Sequence, residues 1–285
     1  MIRGLYTGAA GMLAQQNRMD VISNNLSNVD LNGYKRDISV HKSFPELLIR
    51  RMNADGIHRF PLGSVDSSPI VGKLGTGVEQ NEVVTNFTQA TLKETNNPFD
   101  LAIEGRGFIA VQTATGERFT RNGSFMLNND GYLVTKQGYY VLGETGPIQI
   151  KKNNFVIDQQ GKIYTNPNLD KDSERLVSLT ENDWGETELV AKLRVVNFRE
   201  INYLAKQGNS LWKDTFESGP PQSVFSNPNA NIETKIRQGF VEGSNVNPVR
   251  EMVEMIEVQR AYETNSKLIQ TQDDLLGKLI NESRS

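Results

Sequence analysis

Apolar residues recur every seven positions at both ends of this chain and every second position in its middle. In the N-terminal stretch, Leu5, Met12, Met19 and Leu26 fall on one helical row, flanked by Ile22 and Val29. In the C-terminal stretch, Met255, Tyr262, Ile269 and Leu276 do the same, flanked by Leu268, Leu275 and Leu279. A narrow apolar stripe on a long helix has to be covered by another helix. The partners on offer are the other end of the same chain or another copy of it. Either points to a protein built to assemble.

The first helix opens with small residues (Gly8, Ala9, Ala10, Gly11, Ala14), which lower helix propensity at the glycines but let a neighbour approach closely. Gln15, Gln16 and Asn17 follow, and polar residues near a seam fix register at some cost in stability. The helix is expected to end near Val29. Asn24, Asn25 and Asn28 crowd its last turns, and Asn32-Gly33 tolerates the left-handed conformation. Asn24 and Asn25 are read as hydrogen bonding across helices; Gln259, Asn265 and Gln272 fit that role and solvated helix surface equally well. The second helix starts sharply. Asn247 can cap it, Pro248 suits its first position, and Glu251 and Glu254 favour the positive end of its dipole. Continued to Ile280 it would span roughly 50 Å.

Between the helices, residues 37–75 read as an extended arm broken by Asp55-Gly56 and Phe60-Pro61. One or two helical turns are expected around Phe44, Leu47, Leu48, Ile49 and Met52. From Thr76 to Gly239 the period is two. Asn122-Gly123 and Asn129-Asp130-Gly131 read as hairpin turns, and Gln160-Gly161 separates two further strands.

Composition removes several function classes. Against 31 Lys and Arg stand 34 Asp and Glu, so no basic stripe favours nucleic acid. The absence of cysteine excludes disulfides, thiolate metal sites and Cys nucleophiles. No apolar run reaches the length of a membrane helix. Glycines interrupt what would be the apolar stretch of a cleaved signal peptide. His41 and His58, the only histidines, lack metal-ligand spacing. A glycan hydrolase would need two carboxylates at a set separation, but Asp100, Glu104 and Glu117 sit in strand and turn contexts typical of solvated charge. Gly72 to Gly77 has no Walker spacing.

Specific blocks then stand out. Leu5-Tyr6-Thr7, Gly11-Met12, Gln15-Gln16, Asp20-Val21-Ile22, Asn24 to Val29 and Gly33-Tyr34-Lys35 resemble the N-terminal signature of bacterial flagellar rod and hook proteins. Leu74 to Val78, Pro98 to Gly105, Thr120 to Phe125, Gly131 to Thr135 and Val141-Leu142-Gly143 resemble the central blocks of that family. Gly243 to Asn247, Met252-Val253, Met255-Ile256, Gln259 to Glu263 and Asn265-Ser266-Lys267 resemble its C-terminal block. The blocks occur in the family's order. The stretches 37–73 and 164–228 carry no family motif.

The resemblance implies an α+β fold. Long N- and C-terminal helices pair as a coiled coil, with a central, mostly antiparallel β domain. The expected segments are 1–36 (N-terminal helix), 37–75 (arm), 76–239 (β domain) and 240–285 (C-terminal helix). It implies a structural subunit of the basal-body rod that polymerises helically into a drive shaft across the periplasm, without catalysis or cofactor. Expected partners are copies of the chain, adjacent rod and hook axial proteins and the flagellar type III export apparatus, with no nucleic acid and no membrane insertion. Assembly is expected to use Leu5, Met12, Met19, Asn24, Asn25, Leu26, Val29, Met255, Gln259, Tyr262, Asn265, Ile269 and Leu276. Phe44, Leu47, Leu48, Phe60 and Pro61 are the expected arm contacts. The Leu74–Val78 and Gln259–Glu263 blocks look more like the distal rod type, with the proximal type still open. An adhesin-like or hook-type axial protein is the alternative reading.

Overall fold

The computed structural model describes residues 2–51, 57–60, 63–66, 70–150, 155–165, 187–225 and 234–284. The chain is α+β, with one long helix near each end and antiparallel β structure between. Helix α1 runs Ile2–Ser27 and helix α2 runs Pro248–Arg284. Pro248 opens α2 with Glu251 in its first turn, and Gly33 takes the left-handed conformation (φ 70°) after α1. Two compact units are distinguished: residues 1–26, 37–84 and 248–285, and residues 27–36 and 85–247.

In the first unit, the segment after α1 is a long nested β-ribbon. Asp37–Ser43 pairs with Val78–Thr85, Leu47–Arg50 with Ile70–Leu74, and Ile57–Phe60 with Gly63–Asp66. The helical turns expected around Phe44, Leu47, Leu48, Ile49 and Met52 are therefore corrected to a strand at Leu47–Arg50, with Met52 outside the described residues. Leu47 faces Leu74 and Leu48 faces Lys73 across the ribbon. A helix of so few residues is marginal in water, since its nucleation is costly. The cross-strand partner supplies the backbone hydrogen bonds that the helix would have made internally. Asp55-Gly56 lies outside the described residues.

In the second unit, nine strands among the described residues form one antiparallel sheet. Its main path runs Phe125–Leu127, Leu133–Thr135, Tyr140–Val141, Phe108–Thr113, Gly116–Thr120, Leu211–Lys213, Ala205–Gly208. Val195–Asn197 pairs with both Phe108–Thr113 and Gln222–Ser223. The main core lies on one face, where Ile109, Val111, Leu133, Val141 and Val195 pack with Phe155, Ile163, Leu193 and Ile236. The other face carries a smaller aromatic cluster of Phe108, Phe119, Phe198 and Trp212. Phe108–Thr113 lies between the two and is almost wholly buried, which explains its continuous apolar run.

The hairpin expected at Asn129-Asp130-Gly131 is present, joining Phe125–Leu127 to Leu133–Thr135. The one expected at Asn122-Gly123 is not. Gly116–Thr120 pairs with Phe108–Thr113 and Leu211–Lys213, not with the strand that follows Gly123. The glycine there serves close approach. Leu101 N–H donates to the Gly123 carbonyl at 2.9 Å, and any Cβ at 123 would collide with the Leu101 backbone.

Candidate assembly site

Helices α1 and α2 meet along a seam with little bulk on the α1 side. Gly4 faces Gln272, Gly8 faces Ile269 and Gly11 faces Asn265. Each step forward in α1 is matched by a step back in α2, so the helices run antiparallel. The fit is close: a Cβ at Gly8 would lie 2.9 Å from Ile269 Cγ1, and one at Gly11 would lie 2.9 Å from Asn265 Nδ2. Further along, Ala14, Ile22 and Asn25 are buried on α1, as are Val258 and Glu251 on α2.

The α2 side of the seam follows alternating steps of four and three residues: Glu251, Met255, Val258, Tyr262, Asn265, Ile269, Gln272, Leu276. Each of these is buried or half-buried. Four of them form the apolar row read from the sequence. The other four include a carboxylate and two amides. This is a helix interface of small and polar groups, weaker in apolar burial than a leucine seam.

Asn25 closes the seam near the end of α1. Its Oδ1 accepts from the Asp37 N–H at 2.9 Å, and its Nδ2 donates to the Asp37 carbonyl at 2.8 Å. Nδ2 also lies 3.3 Å from Glu251 Oε2. One buried amide thus satisfies both main-chain groups of the first ribbon residue and reaches the fully buried carboxylate of α2. Few side chains other than Asn or Gln can do this, since donor and acceptor must sit together.

A second anchor is a buried ion triad in the β unit. Glu242 Oε1 lies 2.6 Å from Lys35 Nζ, and Glu242 Oε2 lies 3.2 Å from Arg121 Nη1. All three side chains are at most 5% exposed. Lys35 Nζ also donates to the Thr88 carbonyl (2.9 Å), Ala90 N–H donates to Glu242 Oε1 (3.0 Å), and Arg121 Nη2 donates to the Gly105 carbonyl (2.9 Å). The main chain repeats the link, with Gly33 N–H donating to the Glu242 carbonyl at 2.8 Å. Two cations share one carboxylate. Burial lowers the pKa of both Lys35 and Arg121 from their ordinary values, and Glu242 opposes that shift in each case.

The residues expected to drive assembly are placed as follows. Leu5, Met12, Met19, Leu26 and Val29 are half-buried, Asn25 is buried and Asn24 is exposed. On α2, Met255, Tyr262, Asn265, Ile269 and Leu276 are half-buried and Gln259 is exposed. The flanking residues Leu268, Leu275 and Leu279 are exposed, as is an N-terminal stripe of Val249, Met252, Val253 and Ile256. In the ribbon, Phe44 is half-buried against Gly77, whose carbonyl accepts the Phe44 N–H at 3.0 Å. Leu47 and Leu48 are each 53% exposed. Phe60 lies in a strand with its side chain outside the described residues, as is all of Pro61.

Sequence reading missed Gly4, Val258 and the seam role of Glu251. It also missed the triad. Lys35 and Arg121 stood inside recognisable blocks, but no local pattern pairs them with Glu242. Charge density elsewhere is in surface ion pairs: Glu104 with Arg237 (2.7 Å) and Glu117 with Arg194 (3.3 Å). Among the described residues no cluster of His, Cys, Asp and Glu is arranged to hold a metal ion.

Comparison with known proteins gives the family. Models described as "Flagella basal body rod protein", "Flagellar hook protein FlgE/F/G D1 domain" and "Flagellar basal body rod FlgEFG protein C-terminal" match residues 5–35, 102–165 and 237–282. The flagellar basal-body rod protein FlgG of Buchnera aphidicola subsp. Schizaphis graminum is 37% identical over 281 residues, covering 98% of this chain and 99% of that protein. The chain belongs to the flagellar basal-body rod protein family. FlgG of Bacillus subtilis is 32% identical over 284 residues and all of both chains. FlgF of Caulobacter vibrioides is 30% identical, covering 96% of this chain and 95% of that protein. The chain is a structural subunit of the flagellar basal-body rod, a family whose members assemble with other rod and hook components. The triad draws one residue from each matched segment: Lys35, Arg121 and Glu242.

Proposed function

We propose that this rod subunit polymerises helically through its terminal helices, which pair as a coiled coil, to form a torque-transmitting shaft across the periplasm. The observation that carries the proposal is the seam. α1 and α2 face each other in four-three steps, yet Val249, Met252, Val253, Ile256, Leu268, Leu275 and Leu279 of α2 still expose apolar side chains. Apolar stripes on both sides of a helix suit a layer in which each helix touches more than one neighbour. Head-to-tail contacts of that kind extend into open filaments.

In this reading copies of the chain, adjacent rod proteins and hook axial proteins are the partners. Subunits travel through the flagellar type III export apparatus without a cleaved signal peptide. The β-ribbon, with Leu47, Leu48, Ile49, Ile70 and Val71 exposed, makes lateral contacts with a neighbouring subunit. The segments 1–36, 37–75, 76–239 and 240–285 act as N-terminal helix, arm, β domain and C-terminal helix. The protein does no chemistry; its work is mechanical.

The test replaces Ile269 or Leu26 with Asp in the full chain. Each variant is expected to leave the β unit folded, shown by an unchanged near-ultraviolet circular dichroism spectrum, while rods disappear from isolated basal bodies and swimming stops. Normal rods built from either variant would contradict helix-driven assembly.

A further inference from the structure

Between α1 and the Val78–Thr85 strand of the ribbon runs a groove of about 540 Å³. Ala10, Leu13 and Ala14 form its helical wall, and Val78 and Val83 lie on the strand side. Leu13 is 60% exposed and Val83 46%, so apolar surface stands open to solvent along it. The two alanines leave room on the helical wall for bulky side chains from outside. Glu82 also lines the groove, exposed and without an ion-pair partner among the described residues.

Helix α2 carries a surface of complementary form. Val249, Met252, Val253 and Ile256 are all exposed, and their i, i+3, i+4, i+7 spacing puts them on one helical face. The buried seam residues Glu251 and Val258 each come two positions after a stripe residue, roughly 200° further round the helix. The stripe therefore points away from the α1 of its own copy and cannot enter the groove beside that helix. From Val249 to Ile256 it covers seven residue steps, about 10 Å, as does the helical wall of the groove from Ala10 to Asn17. Arg260 continues the stripe by one turn, exposed and without an ion-pair partner among the described residues. Arg250, by contrast, is held by Glu254 at 3.0 Å. A row of bulky apolar side chains that ends in an unpaired cation thus matches a small-residue groove that ends in an unpaired carboxylate.

We propose that the Val249–Ile256 face of α2 seats in the α1–ribbon groove of the next copy of the chain, with Arg260 against Glu82. Met252 and Ile256 fill the space over Ala10 and Ala14, as ridges enter grooves between packed helices. Glu82 lies near the Val83 end of the groove and Arg260 beyond the Ile256 end of the stripe, so the ion pair sets the direction of docking. Each copy carries both surfaces and cannot join its own, so the contact is head-to-tail and propagates without closing. This inference rests on the proposed polymerisation and names the two surfaces that carry it.

The chain has no cysteine, so introduced ones report cleanly. Basal bodies would be isolated from cells whose only copy carries Leu13→Cys, Ile256→Cys, or both, then mildly oxidised. The double variant is expected to give a ladder of disulfide-linked multimers, and each single variant monomer. Dimers from Leu13→Cys alone, a disulfide closed within one chain, or rods of the double variant that never cross-link would overturn the docking. Should the double variant build no rods, co-expression with the unmodified chain decides: linked dimers in the mixed rods support the contact, and mixed rods without them overturn it. Charge reversal tests the direction of docking. Glu82→Arg and Arg260→Glu are each expected to lose most swimming, and the pair together to regain it; single reversals that swim normally would remove the ion pair from the proposal. Deletion of the chain separates all this from the function itself. Rods that persist without it would sink the rod-subunit reading, whereas intact rods without cross-links sink only the docking.

Discussion

The two anchors of this molecule use opposite chemistry. In the helix pair, contact is made by glycine, amide and a few half-buried apolar side chains, and Asn25 closes the end with two main-chain hydrogen bonds and one to the Glu251 carboxylate. The β unit has a large apolar core and, besides it, three buried charges in which one carboxylate holds two cations. The first arrangement yields a modest interface, because glycine buries little apolar area and lowers helix propensity. The second is all-or-none, because a buried charge that loses its partner is expensive. A subunit that must lock one region and leave another ready for new neighbours benefits from that difference. The triad fixes residues 35 and 242 within the β unit, while α2 keeps exposed apolar side chains that the proposed assembly would cover.

The contrast can be broken most forcefully at Glu242. Glu242→Ala strands two buried cations and is expected to destabilise the β unit by about 3–5 kcal/mol, read as a lowered urea midpoint. A change within a few tenths of a kcal/mol would show that water reaches the site and that the triad is not a lock. Next in size is Gly8→Val, whose Cβ starts 2.9 Å from Ile269 Cγ1. Overpacking of this kind costs about 1–3 kcal/mol. Helical ellipticity should fall while the β unit melts at its usual temperature. Asn25→Ala leaves the N–H and C=O of Asp37 without their buried partner, at a cost of about 1–3 kcal/mol. Hydrogen exchange at the Asp37 amide should accelerate, and an unchanged rate would remove Asn25 from the account.

The smallest effect concerns pH and Lys35. Its folded pKa lies below the unfolded value of 10.5 because burial disfavours the ammonium. Between those two values the unfolded chain binds more protons, so stability rises with pH there. The wild type should therefore gain on Lys35→Met as pH climbs towards 10.5. A difference that stays flat, or reverses, would mean that pairing with Glu242 outweighs desolvation.

Legibility differed between the same two regions. Both helices, the hairpin at Asn129-Asp130-Gly131 and the central β pattern were readable because each rests on local periodicity or turn chemistry. The α2 row of Met255, Tyr262, Ile269 and Leu276 was visible for the same reason. Its partner row was visible only in part: Asn265 and Gln272 were read as fitting either seam or solvent, while Val258 and the seam role of Glu251 went unseen, since only one of the four members is apolar. Leu268 and Leu275 drew attention as hydrophobic neighbours; both stay exposed, Leu268 at the edge of the seam beside Gly8. Leu47–Arg50 read as a helical turn because its strand partner sits some twenty residues away. Asn122-Gly123 carries a turn signature, but its glycine answers to the Leu101 backbone. The triad was out of reach: Lys35, Arg121 and Glu242 come together only through the folded sheet, and no spacing in sequence announces it.

Hydrogen exchange on the full-length chain, compared between the monomer and isolated basal bodies, tests the central claim most directly. Amides of α1 and α2 are expected to exchange quickly in the monomer and slowly in the rod, while those around Lys35, Arg121 and Glu242 stay protected in both. Helices as protected in the monomer as the β core would contradict the account, because the terminal pair would then be finished before assembly begins.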